Sequence, residues 1–315
     1  MNDIYPLIGA EVALSLYPQL IKLIPAPIEV QISVRCIAYF ILALLGFGFQ
    51  KFSISNIFNK VSDNKLSRSK ITISNASNNT HSFTTLNIIV IGIINIIHIA
   101  SSYTSFKILN SGVSYSLFYL YPIFNILGRH IFYNENIEFI QYLYILLGMF
   151  GVYLIYNRNK IILEPHLEPH LEPHHQDNLI GLASGIISAI TESIIYFIVR
   201  NDALIVSPFI QVIKTYMLGC ILSIGYIITH FTQLNLELNH WITLVLFNAL
   251  IGFIGYVLRF FTIPRLSTLT FNSVIFIGVI FSYIWGYIFS NETIDYNNII
   301  GSLFIIGSIY KINKK

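Results

Sequence analysis

Residues 111–156 read SGVSYSLFYLYPIFNILGRHIFYNENIEFIQYLYILLGMFGVYLIY. Two apolar blocks, 111–131 and 137–156, stand either side of the short polar stretch Tyr133-Asn134-Glu135. Each is about 20 residues long, which lets a helix rising 1.5 Å per residue cross a ~30 Å hydrocarbon layer. Within the blocks only Arg129 and Glu138 carry full charges, each close to a block end. A surface helix of a soluble protein needs a polar face, and neither block has one. The stretch therefore reads as two membrane-crossing helices joined by a tight polar turn.

Working outward, similar blocks lie at 4–24, 28–50, 86–106, 179–199, 207–230, 241–261, 268–289 and 297–312, so that ten spans nearly fill the chain. Hydrophobic residues make up 55% of the 315 and charged ones only 10%, too few charges to cover the surface of a soluble domain. The expected fold is an all-α integral membrane bundle without a separate soluble domain. Met1-Asn2-Asp3 lacks a basic leader region and the first block contains Glu11, so this block reads as a retained span. Cys36 and Cys220 fall inside spans and read as small buried residues. The net charge of +3 is small and dispersed, which argues against nucleic acid as a partner.

Between the blocks, Pro25 and Pro27 mark the first turn, and Ser, Asn, Thr and Lys over 51–85 predict a flexible polar loop. Basic residues collect on one side: Lys51, Lys60, Lys65, Arg68, Lys70, Arg129, Arg200, Arg265 and the tail Lys311, Lys314 and Lys315. The other side has Lys107, Arg158 and Lys160 among acids, so both termini are expected in the cytoplasm. Residues 163–175 repeat Leu-Glu-Pro-His and read as a Pro-stiffened external linker; four His residues in such a tract also suit Zn or Ni.

The opening stretch recurs. Asn134-Glu135 followed by Gly148 and Gly151 matches Asn291-Glu292 followed by Gly301 and Gly307, the Asn-Glu pairs being 157 residues apart. Arg35 and Gly46 match Lys214 and Gly225 at a spacing of 179. The spacings differ by 22, about the excess of loop 51–85 over loop 231–240, so one insertion reconciles them. The chain therefore reads as two five-helix repeats, 1–156 and 179–315, joined by the His-rich linker 157–178. An odd number of spans per repeat makes the halves inverted, an arrangement suited to alternating access around a midplane site.

Ionisable side chains inside a bilayer usually face a cavity or a partner. The candidates are Glu11, Arg35, Glu192, Lys214 and Arg259. Glu11 is expected to pair with Lys214 or Arg259, or to share a substrate with them. Arg259 is also close enough to an interface to reach the headgroups. Glu192, the deepest, suits either proton coupling or a neutral acid hydrogen-bonded to a neighbouring helix. Tyr115 and Tyr119, four apart in a cluster with Tyr103 and Tyr121, share a helix face able to stack on a substrate or to pack. Asn134-Glu135 and Asn291-Glu292 read as structural helix-end residues.

With these motifs in order and doubled, the chain resembles the drug/metabolite transporter superfamily in its EamA-like branch. The match runs over Ser114–Tyr156 and Gly255–Tyr310, and Arg35 resembles an Arg frequent in the family's second helix. The ninth span departs from the family, with Ile277-Gly278 where a Pro is frequent. The resemblance implies a central cavity lined by Glu11, Tyr115, Tyr119, Glu192, Arg259 and Asn272, with Arg35 and Lys214 nearer the periphery or the gates.

The expected function is a secondary transporter of a small polar metabolite, anionic or zwitterionic given Arg35, Lys214 and Arg259. It lies in a lipid bilayer and needs no cofactor; a homodimer is compatible with the sequence. No Gly-x-x-x-x-Gly-Lys-Ser/Thr stretch is present, which excludes a one-chain ATP-driven pump of that type. Receptor or scaffold and intramembrane lipid-modifying enzyme are the alternatives. The enzyme is disfavoured because His98 has no acidic partner one helical turn away.

Overall fold

The structure, a computed structural model, describes residues 4–63, 85–133, 138–161, 174–202, 207–230, 236–266, 268–293 and 295–313. Among them every regular element is helical. In order these are α1 (Ile4–Leu14), α2 (Tyr17–Leu23), α3 (Ile28–Asp63), α4 (Thr85–Ile108), α5 (Ser111–Phe118), α6 (Tyr121–Tyr133) and α7 (Phe139–Ile161). The second half holds α8 (His174–Asp202), α9 (Pro208–His230), α10 (Leu238–Leu246), a π-helical turn (Phe247–Gly252), α11 (Phe253–Thr262), α12 (Thr268–Val274), α13 (Phe276–Ser290) and α14 (Tyr296–Asn313).

Seven segments among the described residues are long and apolar enough to cross a membrane: Ile4–Leu23, Ile28–Gln50, Asn87–Ile108, Asn178–Arg200, Pro208–His230, Leu238–Thr262 and Thr270–Ser290. They coincide with seven of the ten blocks. Of the others, 111–131 is divided between α5 and α6, 137–156 holds the shorter apolar stretch Phe139–Ile155 of α7, and 297–312 forms α14. Helix α3 continues to Asp63, well into the stretch expected as a loop; Phe52, Ile54, Ile57, Phe58 and Val61 sustain a helical apolar period with no Gly or Pro to stop it. The rest of that loop, and residues 163–173 of the tract read as a linker whose His residues also suit Zn or Ni, lie outside the described residues.

Polarity is inverted relative to a soluble protein. Ile41, Leu45, Phe49, Ile93, Leu146, Ile221, Leu222 and Ile228 are exposed, whereas Glu11, Arg35, Asn95, His98, Glu192, Gln211 and Arg259 are buried. Hydrocarbon is the only surrounding in which this distribution lowers free energy. Cys36 and Cys220 are buried and unbridged.

The helices pair most closely as α7 with α14, α4 with α8, α3 with α9, α4 with α9, α1 with α11, and α5 with α13. Between α7 and α14 the backbones nearly touch: a methyl on Gly301 would lie 2.7 Å from the Gly151 carbonyl oxygen. Small residues permit such contact, and dispersion over the shared length holds two apolar helices together in lipid.

Four interruptions lie along the inner helices, at Ser15-Leu16, Tyr119-Leu120, the π turn 247–252 and Ile275. Pro18 and Pro122 stand just after the first two, in the first turn of the restarted helix, where a missing N–H is tolerated. Ser15 Oγ donates to the Val12 carbonyl at 2.7 Å, occupying an acceptor at the break. Broken helices at membrane depth are tolerated where neighbouring protein or a cavity satisfies the backbone.

Candidate functional site

Two charged clusters occupy the interior beside the breaks. The first joins α1, α4, α8 and α11. Arg259, 3% exposed, lies between two carboxylates, with Nε 3.5 Å from Glu11 Oε1 and Nη2 3.0 Å from Glu192 Oε1. The other Glu192 oxygen, Oε2, faces His98 Nε2 at 3.5 Å. Tyr119 donates to Glu11 Oε2 from the α5–α6 break. The Phe118 and Tyr121 rings lie 5.5 and 5.4 Å from the guanidinium carbon, so aromatic faces cover the cation where carboxylates do not. Arg259 Nε and Nη2, Glu11 Oε1 and Glu192 Oε2 are buried without a hydrogen-bond partner. The pairs are electrostatic, and these polar atoms keep bonding capacity directed into the site.

Gly278 makes the Glu11–Tyr119 contact possible. A methyl there would stand 2.8 Å from the Tyr119 hydroxyl and 3.3 Å from Glu11 Oε2, so only glycine lets α13 approach this pair closely. The residue marking the ninth span's departure from the expected proline thus has a steric role.

The second cluster surrounds Arg35. Its guanidinium carbon lies 4.7 Å from the Tyr17 ring centroid, 5.0 Å from Tyr256, 5.2 Å from Tyr39, 5.6 Å from Tyr103 and 5.9 Å from Tyr216. Nε and Nη2 donate to the Tyr216 hydroxyl at 3.2 and 3.0 Å, and Nη1 to that of Tyr103 at 3.5 Å. Tyr17 donates to Asn248 Oδ1 at 2.9 Å and receives the Tyr39 hydroxyl at 2.5 Å. Among the described residues Arg35 has no carboxylate partner. Its charge is held by aromatic faces and phenol oxygens from α2, α3, α4, α9 and α11.

Glu11, Tyr119, Glu192 and Arg259 are therefore brought into one group. Tyr115 is buried beside it, stacked on Phe106 and edge-on to Tyr119, and Asn272 is buried in α12. Arg35 sits in the adjoining cage rather than at the periphery. Lys214 is half-buried on α9, two residues from Tyr216. Of the two cations expected opposite Glu11, Arg259 is the one beside it, and burial among carboxylates replaces the expected reach towards headgroups. His98 has no acid one turn away on its own helix; its acid, Glu192, comes from α8.

Lys22, close to a span end, forms a further charged contact. It pairs with Glu292 and donates to the Leu109 carbonyl at 2.7 Å. Glu292 Oε2 accepts from the Ser111 N–H at 2.8 Å and Oε1 from its hydroxyl at 2.7 Å, so Glu292 caps α5 rather than the helix that follows it. Asn291, left-handed at φ 50°, turns the chain, and the Glu292 N–H donates to the Gly286 carbonyl at 3.1 Å, closing α13. Glu135, its counterpart by sequence, lies outside the described residues.

The family model of EamA-like transporters matches residues 6–157 and again 179–314. The chain belongs to the EamA-like transporter family. This double match assigns it to a family of multi-pass membrane transporters of small molecules, whose members are transporters rather than enzymes. A solved crystal structure resembles it with a TM-score of 0.57 at 12% identity, covering 99% of this chain and 98% of that one, a likeness of fold alone. No curated protein matches the sequence.

Proposed function

We propose that this EamA-like protein is a ten-span secondary transporter that moves a small anionic or zwitterionic metabolite by alternating access between two inverted repeats, 1–156 and 179–315. Both termini lie in the cytoplasm and the linker 157–178 lies outside. The observation that carries the reading is the enclosed Glu11–Arg259–Glu192 chain beside Arg35, which has no carboxylate partner among the described residues. Arg35 suits an anionic group, and the Glu11 and Glu192 oxygens without hydrogen bonds suit an amine or hydroxyl. Tyr115, Tyr119 and Asn272 line the same region, and Lys214 lies on the helix that supplies Tyr216.

Helix packing supports the inverted repeat. Exchanging the halves takes span one into six, two into seven, three into eight, four into nine and five into ten. The pairings α3–α9 and α7–α14 then map onto themselves, and α1–α11 exchanges with α4–α8. The charges follow: Glu11 and Glu192 are 181 residues apart and His98 and Arg259 are 161 apart, within two and four residues of the repeat spacings of 179 and 157. Glu11–Arg259 and Glu192–His98 thus join corresponding pairs of spans, offset by two to four residues from strict repeat positions.

Uptake and exchange of labelled carboxylates, phosphate esters and amino acids in proteoliposomes test the reading. Saturable accumulation of an anionic or zwitterionic solute is expected, reduced roughly tenfold or more in Arg35→Ala, by loss of a desolvated charge contact. If nothing on such a panel accumulates, exchanges or binds, the reading fails.

A further inference from the structure

The Glu11–Arg259 and Glu192–His98 contacts differ in one chemical respect. Opposite Glu11 stands an arginine, always charged; opposite Glu192 stands a histidine, charged only when it takes a proton. His98 Nδ1 is 3.2 Å from the Ser188 carbonyl oxygen, which can only accept, so the single proton of the neutral ring belongs on Nδ1. The Thr191 hydroxyl, 3.3 Å from the same nitrogen, is within reach of the Ile187 and Ser188 carbonyls at 2.9 and 3.0 Å and donates there. That leaves the lone pair of Nε2 facing Glu192 Oε2, an oxygen with no hydrogen-bond donor. A lone pair directed at a carboxylate oxygen repels it. With one added proton, as an N–H on His98 or an O–H on Glu192, the same geometry becomes attractive.

We propose that the His98–Glu192 pair is a proton-binding site, taking up one exchangeable proton between Nε2 and Oε2 when the interior closes and releasing it when the interior opens. The coupling rests on the transport reading above; the proton site itself does not. The proton comes from water and returns to it, forming and breaking one N–H or O–H bond. Around the pair stand Arg259 and Tyr256 from α11, Arg35 from α3, Glu11 from α1 and Tyr121 from α6, with the Phe118 ring of α5 against the imidazole. Within the Glu11–Arg259–Glu192 chain one cation stands between two carboxylates, so the added proton balances this local group. Arg35 carries a further positive charge in the adjoining cage, surrounded by phenols and not seated on either carboxylate. A closed interior then favours the protonated pair, and deprotonation favours readmission of water.

Infrared difference spectra of the full-length protein in liposomes, recorded across a pH jump without any solute, read this directly. On acidification a new band is expected, either a carboxyl band lost in Glu192→Gln and shifted in His98→Gln, or an imidazolium band lost in His98→Gln and shifted in Glu192→Gln, and in both cases retained in Glu11→Gln. Imidazole nitrogen NMR on the native chain, with His98 assigned by difference from His98→Gln, does not require a carboxyl variant to fold. Nδ1 should carry its proton at every pH, while Nε2 gains one on acidification or accepts the proton of a Glu192 carboxylic acid. A band unchanged in Glu192→Gln, or an Nε2–H tautomer with a bare Nδ1 throughout, would overturn the proton site. If the site holds but an outward pH gradient fails to change uptake of the solute found above, the coupling falls alone.

Discussion

Arg259 shows how much a single buried charge can determine. It faces two carboxylates at 3.5 and 3.0 Å, so Arg259→Met strands both and should destabilise the protein by about 3–5 kcal/mol. Adding Glu11→Gln and Glu192→Gln to that variant should restore much of the loss, because the triple variant strands neither carboxylate. Thermal unfolding in detergent of the single and triple variants checks this; equal losses would show that Arg259 acts through packing. Arg35 is held differently. Its flat guanidinium meets five rings and reaches the Tyr216 hydroxyl twice, a geometry that lysine cannot reproduce. Arg35→Lys is expected to lower stability by about 1–3 kcal/mol, as desolvated cation–π and charged hydrogen-bond contacts are lost. The two clusters were only partly legible from the sequence: Glu11, Arg35, Glu192 and Arg259 stand out as charges in apolar blocks, but tyrosines are common in spans and nothing marked five of them as one cage.

At the scale of elements, the interruptions and the close contacts have opposite uses. The breaks at Ser15-Leu16, Tyr119-Leu120 and Ile275 bring Glu11, Tyr119 and Gly278 together, while α7 and α14 form an unbroken pair. Replacing Gly301 by leucine would place carbon against the Gly151 carbonyl oxygen and should cost about 1–3 kcal/mol or more through overpacking. Gly307→Leu, where a Cβ meets nothing within 4 Å, should cost little, and comparing the two melting temperatures separates steric from compositional effects. Pro18 and Pro122 stand beside two of the breaks, although blocks 4–24 and 111–131 read as continuous spans in the sequence. The π turn and the break at Ile275 carry no such residue; Asn248 in the π turn accepts from Tyr17, and Gly278 just beyond Ile275 meets the Glu11–Tyr119 pair.

For the whole molecule, the contact between Lys22 and Glu292 joins the first span of one half to the loop between the last two spans of the other. Gln19 and Ser290 reinforce it, and Ser111 accepts from Gln19 at 2.7 Å. Alternating access requires such contacts to part on one face while others form on the opposite face. Tethering Lys22→Cys to Glu292→Cys with a short reducible thiol reagent should therefore abolish uptake, and reduction should restore it. The buried native thiols of Cys36 and Cys220 offer little competing reaction. Uptake that persists in the tethered protein would mean that this face does not open during transport.

The sequence by itself determined the solvent and the plan: blocks of bilayer length, too few charges for water, and a duplicated Asn-Glu and Gly pattern with one insertion. These are local or periodic properties, readable along one dimension. The tertiary structure alone decided which charge meets which. Glu11 lies 248 residues from Arg259, and His98 lies 94 from Glu192, so their pairing depends on how α1 packs on α11 and α4 on α8. In a low-dielectric interior a charge requires a partner within a few ångströms. The sequence announces that requirement, and only the packing of helices in three dimensions can meet it.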